Sequence, residues 1–247
     1  MSAATRRTLA TAARVLAQLR HDPRTVAMLL FVPCLLLVLL RYMYDAQPAT
    51  FDRIGPELLG VFPLLVMFLV TSVAMLRERT GGTLERLLTM PLGKADLLLG
   101  YALAFGAVAL LQAVLASALT IGVLGLDVAG PTWALFAVAV ADGLLGMALG
   151  LLVSAFAATE FQAVQFLPAV LLPQLLLCGL FVPRDDMAPV LRLLSDVLPL
   201  SYAVDAMGRI TRESGVGGSV LVDLAVVAGS ALLALGLGAA TLRRRTS

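Results

Sequence analysis

The chain has 247 residues, of which 60% are hydrophobic and only 14% charged, with a formal net charge of +2. Soluble domains run at about half apolar and a quarter charged, so this balance points to lipid as the solvent and argues against a nucleic-acid partner. Six membrane spans of about 20 residues each would fill half the chain, leaving loops too short for a separate catalytic or nucleotide-binding domain.

In chain order, residues 1–24 form a polar, basic N-terminal segment. Leu9, Ala12, Ala13, Leu16 and Leu19 recur at helical spacing, with Arg7, Thr11, Arg14 and Gln18 on the opposite side. This pattern predicts an amphipathic helix whose cationic side lies along an anionic membrane surface or against a partner. The apolar run Val26–Leu40 lacks a small-residue cleavage site and is expected to remain as a helix.

Six apolar segments are predicted near 25–44, 57–76, 97–124, 132–156, 162–181 and 219–241, the third and fourth being the longest. Together they make a single six-span, all-α membrane domain over 25–241, closed by a basic tail at 242–247. Pro33, Pro63, Pro168 and Pro173 fall inside the spans, where neighbouring helices can satisfy the freed backbone groups. Cys34 and Cys178 both lie in apolar runs, without the spacing of a disulfide framework or a metal site. No metal ligand set is expected.

An even number of spans puts both termini on one side. That side would receive twelve basic residues, at the two ends and in 77–96, against six on the other. By the positive-inside rule both termini and the 77–96 connection are cytoplasmic, and the 182–218 connection is external.

The cytoplasmic connection is the most informative segment. Gly81 and Gly82 break the second span and Pro91 stops any helix beyond them, so Thr83–Met90 can form two helical turns. Thr83 is placed to cap the N-terminus, and Glu85 lies in the first turn beside the helix dipole. Leu84, Leu87 and Leu88 share one face. Such a knob could dock in a groove on a soluble partner, or anchor at the membrane surface.

The run Glu78-Arg79-x-x-Gly82-Thr83-Leu84-Glu85-x-Leu87-x-x-x-Pro91 resembles the coupling-helix region of type-2 ABC exporter permeases. The insertion from Val182-Pro183-Arg184 to Pro199-Leu200-Ser201-Tyr202 is similar to that family's external helical hairpin before the last span, though Arg209 is displaced by one position from the family pattern. The resemblance implies two permease subunits, identical or related, around a central pathway in a bacterial cytoplasmic membrane. It also implies two separate ABC ATPase subunits that carry ATP and Mg, with no cofactor on this chain. Glu78, Arg79, Thr83, Leu84, Glu85, Arg86 and Leu87 would then form the ATPase-docking surface. The implied cargo is an amphipathic drug or a lipid-linked molecule, exported with ATP as the energy source.

The chain carries no ATP site of its own in this reading, so it would be a transporter subunit and not an enzyme. Its single lysine gives Gly93-Lys94-Ala95, which lacks the hydroxyl and upstream glycine of a phosphate-binding loop. A membrane-embedded protease is disfavoured, because His21 is the lone histidine and lies outside the spans. An ion-coupled secondary transporter would show matching halves around a charged midplane site, and no halves match.

Within the spans, Asp142 is the one carboxylate well inside, so it should face a helix interface or a wet cavity. It either lines a pathway or packs as a structural acid, and the adjacent Gly143, Gly146 and Gly150 favour packing. Gln112, Gln165 and Gln174 could line a pathway or bridge helices. Asp223, near a span end, is expected to reach the interface.

Overall fold

The computed structural model describes residues 3–81 and 93–241. Every regular element among them is helical: α1 (Ala3–Arg20), α2 (Pro23–Met43), α3 (Pro48–Thr80), α4 (Lys94–Gly122), α5 (Thr132–Val153) and α6 (Glu160–Leu177). A single 3-10 turn (Arg184–Asp186) comes next, then α7 (Pro189–Ser195), α8 (Pro199–Arg212) and α9 (Gly218–Thr241). Six of these, α2 to α6 and α9, are long and apolar enough to cross a membrane.

Two boundaries differ from the expectation. The longest span is the second, not the third or fourth: α3 runs for 33 residues, about 50 Å at 1.5 Å per residue, well beyond a hydrocarbon core of about 30 Å. Pro48 at the first helical position, with its fixed φ, starts α3 nine residues before the apolar run begins. Asp52, Arg53 and Glu57 hide that start in the sequence, because hydropathy registers only the part inside lipid. The fourth span stops at Val153, where Ser154 caps it and its hydroxyl bonds the Leu151 carbonyl at 2.6 Å.

The core sits between α3 and α5, with α9 against the other flank of α5. Glycine decides this contact. A Cβ at Gly146 would overlap the Leu64 backbone, and one at Gly150 would strike Thr71 Oγ1 and the Phe68 carbonyl. Without side chains at these positions the two backbones meet directly, the contact that lipid cannot supply. Thr71 Oγ1 reinforces the seam by donating to the Met67 carbonyl at 2.6 Å and approaching the Met147 carbonyl of α5 at 3.2 Å.

One proline inside a span is accommodated by a side chain of a neighbouring helix. Pro33 has no N–H for the Leu29 carbonyl one turn before it, and Gln112 Nε2 of α4 donates to that carbonyl at 2.6 Å.

Helix α1 corrects the sequence-based placement of its faces. Arg7, Thr11 and Arg14 of its polar side turn inward toward α3 and α4, together with Ala12 and Val15, while Leu9 and Leu16 on the apolar side are exposed. Close approach at Gly100, where a Cβ would lie 2.5 Å from Thr11 Cβ, lets α1 reach the first turns of α4. Arginines facing fixed acids and a hydroxyl satisfy their donors better inside this bundle than along a lipid surface, leaving leucine for lipid.

Candidate functional site

Of the residues expected to dock a partner, the structure describes Glu78 and Arg79, at the last turn of α3. Thr83, Leu84, Glu85, Arg86 and Leu87 lie outside the described residues. Glu78 Oε1 accepts from Arg14 Nη1 and from Gln18 Nε2, both on α1 and both at 3.2 Å. Arg14 Nη2 also donates to the Tyr101 hydroxyl of α4 at 2.6 Å, and its guanidinium lies 5.7 Å from that ring's centre. Three helices are therefore joined through one arginine. Glu78 Oε2 is buried without a partner among the described residues.

Arg79 points the other way and donates to the Ser154 carbonyl at the C-terminal cap of α5. A cation there answers both the orphan carbonyls and the negative end of the helix dipole. Beside it, Arg77 forms a two-pronged pair with Glu160 in the first turn of α6, at 2.8 and 3.0 Å. Arg7 closes the group by bonding Asp96 of α4 at 2.8 Å. The end of α3 is thus tied to α1, α4, α5 and α6, immediately before residues 82–92.

Above this network lies a mostly apolar cavity of about 640 Å³ between α1, α2, α3 and α4. Leu29, Val66, Val70 and Phe105 line its body, and Gln18, Asp22, Arg77 and Glu78 its mouth. Asp22 caps α2: its carboxylate accepts from the Thr25 hydroxyl at 2.5 Å and the Thr25 amide at 3.2 Å, which holds its pKa below the ordinary value. The mixed lining suits an amphipathic guest.

The four intramembrane candidates do not converge. Gln112 bridges α4 to α2, and its Oε1 is buried without a partner among the described residues. Gln174 is buried on α6 and donates to the Val170 carbonyl of its own helix at 3.2 Å. Gln165 is exposed on α6. Asp142 is fully buried against Gly60, where a Cβ would stand 3.2 Å from its Oδ2, and neither oxygen has a hydrogen-bond partner among the described residues.

Two further acids matter. Asp223, near the start of α9, is buried and takes a hydrogen bond from Arg209 Nη1 at 3.0 Å, tying α9 to α8. Glu57, buried in the first third of α3, gives no signal in the sequence beyond its i+4 spacing from Arg53.

Comparison with known proteins places this architecture. Residues 6–210 match the family model described as ABC-2 type transporter. The chain is 25% identical over 206 residues to the probable multidrug ABC transporter permease YbhS of Escherichia coli, covering 83% of this chain and 55% of that protein. It is 30% identical over 155 residues to the probable multidrug ABC transporter permease YbhR of the same organism, covering 63% and 42%. A likeness of 25% over 166 residues extends to the ABC transporter G family member 20 of Dictyostelium discoideum, covering 67% of this chain and 23% of that protein. The chain spans about half the length of the bacterial relatives it matches.

Proposed function

This chain belongs to the ABC-2 type transporter family, and from that premise we propose that it is the permease subunit of an ATP-driven exporter. It pairs with a second permease, identical or related, and is energised by separate ATPase subunits that hold ATP and Mg. Both termini and residues 82–92 face the cytoplasm, as the basic residues favour. The cargo is amphipathic, a drug or a lipid-linked molecule, in keeping with the names of its relatives and with the apolar cavity rimmed by polar groups.

The observation that carries this reading is the convergence at the end of α3. A docking segment at 82–92 moves the membrane helices only if its attachment is rigid, and Glu78 and Arg79 supply that attachment to α1 and α5. In this reading Thr83, Leu84, Glu85, Arg86 and Leu87 contact the ATPase, while Glu78 and Arg79 convey its motion inward. Helix α6 supports the pairing: it exposes Gln165 and most of its length, a poor surface for lipid and a suitable one for a second permease or a pathway.

The test is co-purification. Glu85→Arg and Leu87→Asp should each release the ATPase while the permease remains inserted and monodisperse. Either variant retaining its full ATPase complement refutes the docking role.

A further inference from the structure

A second cavity of about 500 Å³ opens between the start of α3, the turn at Gly179 and α8. Its wall is polar and holds five arginines: Arg53, Arg184, Arg192, Arg209 and Arg212. Three of them are neutralised within the fold. Arg184 is clamped between Asp196 and Asp205 and lies 5.4 Å from the centre of the Tyr202 ring. Burial opposes its charge, but the two carboxylates outweigh that and raise its pKa. Arg192 pairs with Asp185 at 2.9 Å, and Arg209 with Asp223 at 3.0 Å.

Arg53 and Arg212 are different. Neither forms an ion pair or a hydrogen bond with any described residue, although both line the cavity. Nearby counter-charges are Glu57, one turn from Arg53 and buried at the cavity wall, and the second carboxylate on Arg184; Glu57 feels both cations without bonding either. The seat of Arg212 is shaped by an absence: a Cβ at Gly208 would fall 2.9 Å from Nη2 and 3.2 Å from Nη1. Glycine there lets the guanidinium lie flat against α8.

We propose that Arg53 and Arg212 form a binding site for a phosphoryl oxyanion, with Gly208 as the seat that positions Arg212. Two planar forks match a terminal phosphate, whose three oxygens and up to two negative charges they can bond and neutralise together. The cavity is large enough for a headgroup around that oxyanion. Glu57, when ionised, opposes binding by placing a negative charge beside the two positive ones. The oxyanion comes from a phospholipid headgroup or from free phosphate, and the two are separable.

The full chain is purified into phosphatidylcholine nanodiscs, with or without phosphatidic acid. Retained phosphatidic acid is counted by native mass spectrometry, and protection by inorganic phosphate is read as a shift in unfolding temperature. Preferential retention of phosphatidic acid identifies a lipid headgroup site, and protection by phosphate in pure phosphatidylcholine identifies a soluble one. In either case Arg53→Gln and Arg212→Gln should each weaken binding about tenfold. Gly208→Ala should weaken it with every charge retained, and Glu57→Gln should strengthen it. The nearest neighbours of its new methyl are all on the flexible Arg212 side chain, so Gly208→Ala keeps the test open if the arginine variants misfold. The proposal fails if wild type binds neither probe, or if the double arginine variant binds both as wild type does.

Discussion

Helices α5 and α6 are both spans, yet their most apolar windows are 61% and 17% buried. Helix α5 carries Gly143, Gly146 and Gly150 and is enclosed by α3, α4 and α9. Helix α6 carries Gln162, Gln165, Pro168 and Pro173 and touches chiefly α3 on one side. In water the more polar helix would be the surface helix because water rewards it. In lipid that reward is missing, and small residues select the interior because they let backbones approach. The exposed glutamine of α6 is then unfavourable for an isolated chain in lipid, and the proposed pairing would cover it.

The contrast can be broken most forcefully at the seam. Gly146→Leu should abolish a monodisperse purified protein, since its side chain would meet the Leu64 backbone, which cannot yield; a loss of about 3 kcal/mol or more is expected. Gly229→Leu, with nothing within 4 Å of its Cβ position, should purify normally. Equal behaviour of the two variants in size-exclusion chromatography would remove the seam argument.

A smaller effect is expected at the end of α3. In a double-mutant cycle with Arg14→Gln and Glu78→Gln, thermal or denaturant unfolding should give a coupling of about 1 kcal/mol, because the pair is largely shielded and shares Tyr101. Additive effects would mean that α1 and α3 are joined by packing alone. Gln112→Leu should cost about 0.6 kcal/mol by the same measurement, the usual worth of a polar contact between membrane helices. The combination Pro33→Ala with Gln112→Leu should recover that loss, since alanine at that position restores an N–H for the Leu29 carbonyl.

The smallest change belongs to α6. Arg77 and Glu160 are both more than half exposed, so Arg77→Gln should move stability by no more than about 0.5 kcal/mol. A larger drop in unfolding temperature would show that this surface pair holds α6 against α3, and would narrow the contrast between the two helices.

Much of the fold is legible in the chain. Six apolar runs, their approximate places and the break at Gly81 can be read from hydropathy and glycine chemistry, because lipid penalises unpaired backbone wherever it occurs. The packing face of α5 is legible too, in glycines spaced three and four apart around Gly146. The true start of α3 is not, because a helix that leaves the bilayer continues on polar residues that hydropathy ignores. Nor is the destination of a charge. The arginines of α1 look like a membrane-facing surface until Glu78, Asp96 and Tyr101 are brought beside them from 64 to 89 positions away. Asp223 similarly looks free until α8 delivers Arg209.

By itself, then, the sequence determined the solvent, the number of spans and the residues able to sit between close backbones. These are local properties of composition and spacing. Tertiary structure alone decided which polar groups are partnered and which are left open. Arg79 meets a helix end, Gln112 answers a proline, and Arg53 and Arg212 meet neither. A side chain's hydrogen-bonding and Coulomb energies depend on neighbours remote in the chain, and only the folded bundle sets those distances.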